Sequence, residues 1–283
     1  MLRIAVQSKG RLYDETMELL GEAGIKLTAV KRSLLVPSKN FPVEVLFLRD
    51  DDIPDTVATG TADIGIVGLN EVLEKNRNVH IVRNLGFSKC RLSLAVPNAA
   101  NYTGLEWFNG KKVATSYPVI LRKFFASKGI AADLHEISGS VEVAPGIGLA
   151  DAIFDIVSSG STLISNNLSE VEKVIDSEAV MIGGQPLSEE KQEILDELLF
   201  RIEAVKVAGD KKYILMNVPK DRLDTVLEIL PGIKSPTVLP LADAEWCSVH
   251  TVLDEKCFWE IINRLKAAGA EGILALDIEK MVL

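Results

Sequence analysis

Between Glu142 and Leu163 the chain reads EVAPGIGLADAIFDIVSSGSTL, a run that gathers carboxylates, hydroxyls and glycines. Asp151 and Asp155 are four apart, so on a helix both carboxylates share one face, beside Ser158 and Ser159. Like charges at that spacing repel by a few tenths of a kcal/mol, so the pair is mildly unfavourable unless something binds it. Ribose hydroxyls or a hydrated magnesium ion would use those oxygens. The next residues, Ser158, Ser159, Gly160, Ser161 and Thr162, set hydroxyls around a glycine able to take positive φ. Together with successive backbone N–H groups they form a candidate anion nest suited to a phosphate monoester. If a helix runs over 148–157, the turn sits at its C-terminal end, where the dipole opposes an anion, and a plain helix C-cap explains it equally well.

Cations appear at two other points. Gln7-Ser8-Lys9-Gly10-Arg11-Leu12 follows an apolar run directly, at the carboxyl edge where α/β sheets bind ligands, yet lacks the glycine spacing of a P-loop or dinucleotide fingerprint. Solvated Lys and Arg at a strand-to-helix junction is the alternative. Arg49 precedes Asp50, Asp51 and Asp52, which cap a helix or pair with it; its guanidinium is also suited to gripping pyrophosphate bidentately. Arg32 completes the candidate basic set with Lys9, Arg11 and Arg49. His80, His135 and His250 lie far apart with no nucleophile motif near them and read as structural.

These residues need a scaffold. Arg3–Gln7, Val43–Leu48, Asp63–Val67 and Leu92–Val96 read as strands, and Leu12–Ala23 and Ile53–Thr59 as helices, an alternation that predicts an α/β fold with mostly parallel strands. The pattern restarts after Pro97, with a strand at Lys112–Thr115 and helices over Pro118–Ser127 and Gly148–Val157, predicting a second lobe. A charged amphipathic helix over Leu187–Val205 leads to a boundary at Ala208–Lys212. Beyond it come a strand at Tyr213–Val218, a helix at Lys220–Leu230, strands at Ile233–Leu239 and Glu245–Val252, a helix at Asp254–Ala268 and a strand at Gly272–Ile278. That order, β-α-β-β-α-β, is the ferredoxin-like unit.

Composition limits the function. The 283 residues are 47% hydrophobic and 25% charged, long enough for two or three cores. A formal charge of -9 argues against a nucleic-acid surface, and the absence of any long apolar run argues against a membrane and for the cytoplasm. Three cysteines without metal-ligand spacing predict reduced thiols.

Taken together the segments resemble the long form of the ATP phosphoribosyltransferases, which open histidine biosynthesis. The resemblance is carried by SKGRL at Ser8–Leu12, RDDDIP at Arg49–Pro54, ADIGIVG at Ala62–Gly68, ATSYP at Ala114–Pro118, the Glu142–Leu163 run, and SPTVLPL at Ser235–Leu241. It departs at Asn70, where the family commonly carries an acid. The resemblance implies a two-lobed, periplasmic-binding-protein-like catalytic part, with lobe I at 1–95 and 178–207 and lobe II at 96–177, plus an ACT-type regulatory domain at 208–283. It implies that Glu142, Asp151, Asp155 and Ser158–Thr162 bind phosphoribosyl pyrophosphate, with Asp155 and Glu142 toward Mg2+. Lys9, Gly10, Arg11 and Tyr117 would then meet ATP, and Arg49, Arg32 and Lys9 would act in catalysis.

The implied reaction is attack of adenine N1 on the anomeric carbon, releasing pyrophosphate with inversion and needing no general base. Histidine would inhibit at Ser235, Thr237, Leu274 and Ala275, in a homo-oligomer passing between dimer and hexamer. Prephenate dehydratases share a similar architecture, but their Thr-Arg-Phe segment is absent here. A two-lobed solute-binding protein is the non-enzymatic alternative.

Overall fold

Short β-branched runs separated by amphipathic helices give fifteen strands and eight α-helices in the computed structural model, which describes residues 1–28, 33–231 and 235–283. The chain forms two compact units, Met1–Glu18 with Ile25–Ile194 and Leu19–Gly24 with Leu195–Leu283.

The first unit opens with β1 (Leu2–Gln7), α1 (Arg11–Glu22), β2 (Leu35–Pro37), β3 (Val43–Leu48), α2 (Ile53–Ala58), β4 (Ile64–Gly68), α3 (Leu69–Lys75) and β5 (His80–Asn84). The chain then crosses to β6 (Cys90–Pro97), β7 (Lys112–Thr115), α4 (Pro118–Lys128), β8 (Asp133–Glu136), β9 (Ala152–Val157), α5 (Ser161–Ser165) and β10 (Leu168–Ser177). It returns as β11 (Ala179–Gly183) and enters α6 (Glu189–Gly209). Two sheets result, ordered β2-β3-β1-β4-β11-β5 and β10-β6-β9-β7-β8.

In the first sheet β1 runs parallel to β3 and β4, and Leu2, Ile4, Ala5 and Val6 have no exposed surface, as expected for a strand covered on both faces. Ile53 and Val57 of α2 pack there with Val67, Val180 and Ile182. In the second sheet Leu92, Leu94, Phe108, Leu121 and Phe154 form the core. The two crossings are bonded to each other, Leu85 N donating to Ala179 O and Ala179 N to Phe87 O, both at 2.9 Å.

Two expectations are corrected. The segment 148–157 is not helical: its second half is β9, sealed between antiparallel β6 and parallel β7. Ala152, Ile153, Phe154 and Val157 are buried, and a short β-branched run of that kind is a central strand. The lobe boundary also moves, since β6 lies wholly in the second sheet and sends Leu92, Leu94 and Val96 into its core. The first lobe therefore ends before Cys90 rather than at 95.

The second unit continues from α6 through β12 (Lys211–Pro219), α7 (Leu223–Ile229), β13 (Thr237–Pro240), β14 (Trp246–Asp254), α8 (Glu255–Ala267) and β15 (Glu271–Asp277). Its antiparallel sheet is ordered β13-β14-β12-β15, the ferredoxin-like arrangement. Phe258, Ile261 and Leu265 of α8 seat against Ile214, Met216 and Val249. The strand expected from Ile233 starts at Thr237, and 232–234 lie outside the described residues. The three cysteines are free thiols.

At the end of β11, Gly184 meets α2 so closely that a Cβ would lie 2.3 Å from Val57 O. Because main chain cannot rotate away as a side chain can, Gly184→Ala should cost about 1–3 kcal/mol, read as a lower denaturation midpoint of the first unit. An unchanged midpoint would mean that the β11–α2 junction yields freely.

Candidate active site

Parallel strands deliver their carboxyl ends to one edge of a sheet, and both sheets of the first unit do so around a cleft of about 790 Å³. The first lobe contributes Arg49, Asp50 and Asp51 after β3, and Glu71, Glu74 and Lys75 from α3. The second contributes Ser116 and Tyr117 after β7, Val119 and Arg122 from α4, and Asp155 near the end of β9.

Burial controls the charge on this surface. Desolvation, helped by the Glu142 carboxylate, pushes Asp155 up to about 6, despite an opposing backbone hydrogen bond from Ile156. Glu71 is pushed up to about 7, first by burial and next by Asp50, with Tyr117 and Lys75 pulling the other way and Asp51 adding to the rise. The Tyr117 phenol is raised far out of its ordinary range by burial and by Glu71, so it stays protonated and donates to Glu71 Oε1 at 3.0 Å. At the rim, Arg49 Nε lies 3.2 Å from Asp51 Oδ1, with 77% of the arginine side chain exposed.

Ser158–Thr162 leads out of β9 and into α5. The loop thus opens a helix instead of closing one, which removes the objection from the dipole. Gly160 has φ +81°, and the Ser159 and Ser161 hydroxyls are 3.0 Å apart. Two arginines reach the loop. Arg11 Nη1 donates to Ser158 Oγ at 2.9 Å and its Nη2 to Lys89 O at 3.1 Å, while Arg91 Nη1 donates to Ser158 O at 3.1 Å. Arg91 is held bidentately by Glu170, at 2.5 Å for each bond, and the Ser93 hydroxyl donates to the same carboxylate at 2.7 Å. Those bonds, that from Arg91 foremost, hold the Glu170 carboxyl below its ordinary range.

The residues singled out in the sequence separate into groups. Asp155, Tyr117 and Arg49 line the cleft, Glu142 lies in a 3-10 turn (Val141–Val143) where its charge reaches Asp155, and Arg11 joins Ser158. Lys9 and Gly10 occupy the exposed turn between β1 and α1, with Gly10 at φ +93°. Asp151 departs from the group: it precedes β9, accepts from Lys112 N at 2.9 Å, and is separated from Asp155 by roughly 13 Å of strand. Arg32 lies outside the described residues. Glu71, Glu74, Arg91 and Glu170 were not anticipated. Asn70 drew notice for lacking an acid, and the acid stands one residue on, buried with it.

In the second unit, Ser235 and Thr237 line a recess of about 230 Å³ with Tyr213 and His250. Both His250 ring nitrogens meet hydroxyls, Nδ1 that of Tyr213 at 2.7 Å and Nε2 that of Ser248 at 3.0 Å. Leu274 and Ala275 lie on β15, at the opposite edge of the sheet from β13. Three strand spacings, roughly 14 Å, keep the two pairs apart within one chain.

A carboxyl raised in the fold stabilises it most below its unfolded value, and that contribution is lost as pH rises through the folded value. For Glu71 the window runs from 4.5 to about 7. Glu71→Gln should therefore stabilise the protein by on the order of 3 kcal/mol at pH 8 and change it little at pH 4.5. Thermal midpoints at both values check this, and an equal shift at each would remove ionisation as the cause.

The fold and sequence have known relatives. The family described as ATP phosphoribosyltransferase matches residues 49–204, and that described as HisG, C-terminal domain, matches 208–280. An ATP phosphoribosyltransferase of Bacteroides thetaiotaomicron is 68% identical over 283 residues, all of both chains. Among solved structures, the ATP phosphoribosyl transferase (HisG:HisZ) complex from Thermotoga maritima is similar at TM-score 0.62 and 29% identity, over 72% of this chain and 99% of that one. A histidine kinase sensor domain with similarity to periplasmic binding proteins, at TM-score 0.51 and 13% identity over 74% of this chain and 91% of that one, shares the fold alone. With the catalytic region and the C-terminal domain both matched, this chain belongs to the long form of the ATP phosphoribosyltransferase family.

Proposed function

We infer that the chain transfers the phosphoribosyl group of phosphoribosyl pyrophosphate to N1 of the adenine of ATP, releasing pyrophosphate, as the first step of histidine biosynthesis. The observations that carry this reading are a hydroxyl–glycine loop at the carboxyl end of β9 and a cleft lined, at and beyond the ends of β3, β7 and β9, by Arg49, Tyr117 and Asp155.

Adenine N1 carries no proton, so the attack requires no general base. The protein's task is orientation and charge compensation, and oriented binding alone supplies roughly 7–11 kcal/mol of such a barrier. In this reading the Ser158–Thr162 loop takes the 5′-phosphate, its hydroxyls and N–H groups facing the ester oxygens. Arg11, already on Ser158 Oγ, shares that phosphate from the first lobe. Asp155 faces the ribose hydroxyls, and Arg49 and Lys9 offset charge on the departing pyrophosphate.

No group of three or more His, Cys, Asp or Glu side chains among the described residues is arranged to hold a metal. Asp155 and Glu142, carboxyls whose like charges repel, are the residues that would hold a magnesium ion. The ion's contribution when bound is to neutralise pyrophosphate.

The placement of Ser235 and Thr237 on one edge of the second unit's sheet and Leu274 and Ala275 on the other supports a histidine site completed by two subunits. Inhibition then belongs to a homo-oligomer, dimer or hexamer, by differential binding to its quaternary states. No helix among the described residues is long and apolar enough to cross a membrane, and we assign the enzyme to the cytoplasm.

Protein supplied with ATP, phosphoribosyl pyrophosphate, magnesium and pyrophosphatase should produce the ultraviolet absorbance of N1-ribosylated ATP, and histidine should suppress it. No absorbance change from folded protein would sink the transferase reading, and indifference to histidine would sink the regulatory one. Arg49→Ala should cut turnover at least tenfold while costing no more than about 1 kcal/mol of stability, because its pairing with Asp51 is exposed. Equal losses in activity and stability would make Arg49 a structural residue.

A further inference from the structure

The helix α3 of the first lobe bonds to one short stretch of the second. Tyr117 Oη donates to Glu71 Oε1 at 3.0 Å. Asn70 Nδ2 donates to the same oxygen at 3.0 Å and to the phenol at 3.2 Å, closing a triangle. One turn further along α3, Glu74 accepts from Val119 N at 2.9 Å and Ile120 N at 3.0 Å, filling the open donors at the start of α4. Behind the triangle, Ser177 Oγ donates to Asn70 Oδ1 at 2.8 Å and accepts from Asn70 N at 3.1 Å. Asn70, Glu71 and Tyr117 are all more than nine-tenths buried.

Tyr117 is the one aromatic side chain among the described residues lining the cleft. A purine needs a flat apolar wall, whereas ribose and phosphates need hydroxyls and cations, so of the groups in the cleft Tyr117 suits the base. Its ring belongs to the apolar core of its own lobe with Phe108, Leu121 and Phe125, and its hydroxyl end is set by the polar contacts at the phenol. Those contacts come from the other lobe. Val119 and Ile120, two and three residues on, are tied to the same helix, so the phenol and the main chain just after it are both held by α3.

We propose that Glu71 is a positioning residue for the nucleotide, locking the ring of Tyr117 through its phenol so that the base of ATP meets a wall already set. The proposal rests on the transferase reading and adds to it a group that acts on the base through Tyr117 and leaves the phosphoribosyl side alone. Asn70 and Ser177 extend the lock to the crossing between lobes, where the two are joined.

A double-mutant cycle tests it. Calorimetric binding of ATP is measured for the wild type, Glu71→Ala, Tyr117→Phe and the double variant, with KM for both substrates and kcat alongside. Each single change should weaken ATP by about tenfold, and the double change by no more than either, because one removes the acceptor and the other the donor of one bond. KM for phosphoribosyl pyrophosphate and kcat should move less than twofold. Glu71→Gln, which keeps an acceptor for the phenol, should recover most of the lost affinity. Losses that multiply to about a hundredfold in the double variant, an equal loss for phosphoribosyl pyrophosphate, or no recovery with glutamine would each overturn the proposal. Tyr117→Phe preserves the packing should Glu71→Ala fail to fold, and then the comparison with Glu71→Gln decides. A wild type that binds ATP without turnover would overturn the transferase reading while leaving the cycle readable, and a wild type that does not bind ATP would overturn both.

Discussion

The pairing of Leu85 and Phe87 with Ala179 is the constraint on which the first unit depends. Two strands of chain pass between its sheets, and these bonds lay them side by side, so the carboxyl ends of β3, β7 and β9 face one cleft. From there each element has a defined task. β9 carries Asp155 and launches the phosphate-loop candidate, β7 leads to Tyr117 at the start of α4, and α3 reaches from the first lobe to grip that start. Ser177 stands at the second crossing and bonds to Asn70, so the bridge between lobes and the floor of the cleft form one hydrogen-bonded structure.

A second theme is the cost of burying charge where polyanions are to bind. The cleft contains more carboxyls than a phosphate site requires, and several are neutralised locally. Glu74 accepts from two backbone donors and Asp51 pairs with the rim cations Arg49 and Lys75, while outside the cleft, beside the Ser158 loop, Glu170 pairs with Arg91. The two that remain under strain, Glu71 and Asp155, have raised proton affinities because desolvation disfavours their charged forms. A carboxyl in that condition gains when a hydroxyl donor or a cation arrives, so bound ligand relieves part of the cost of its own site.

Most of the scaffold was legible in the residues. The alternation of apolar runs and amphipathic stretches located β1, β3, β4 and β7, the helices α1, α2 and α4, and the split β-α-β-β-α-β order of the second unit, because each has a clean period or a clear turn. The reading failed at 148–157, where Asp151, Asp155 and the glycines suggested a helical face. A buried strand and a helix segment of that length cannot be separated by periodicity, and the decision is made by β6 and β7, which are distant in sequence. The site shows the same division. Asp155, Arg49, Arg11 and Tyr117 stood beside recognisable turns. Glu71, Glu74 and Arg91 reach the site through partners 46, 45 and 67 residues away, a distance over which no local pattern marks them.

The identity of β9 as a strand has one more consequence. Along it Phe154 points into the core while Asp155 belongs to the cleft, and the alternation repeats every two residues. Gain or loss of a single codon within 152–157 would turn every later side chain of the strand to the opposite face, offering phenylalanine to the ligand and a carboxylate to the core. The loop that precedes β9 faces no such parity rule, whereas a residue added within the strand must either invert its faces or be absorbed as a bulge.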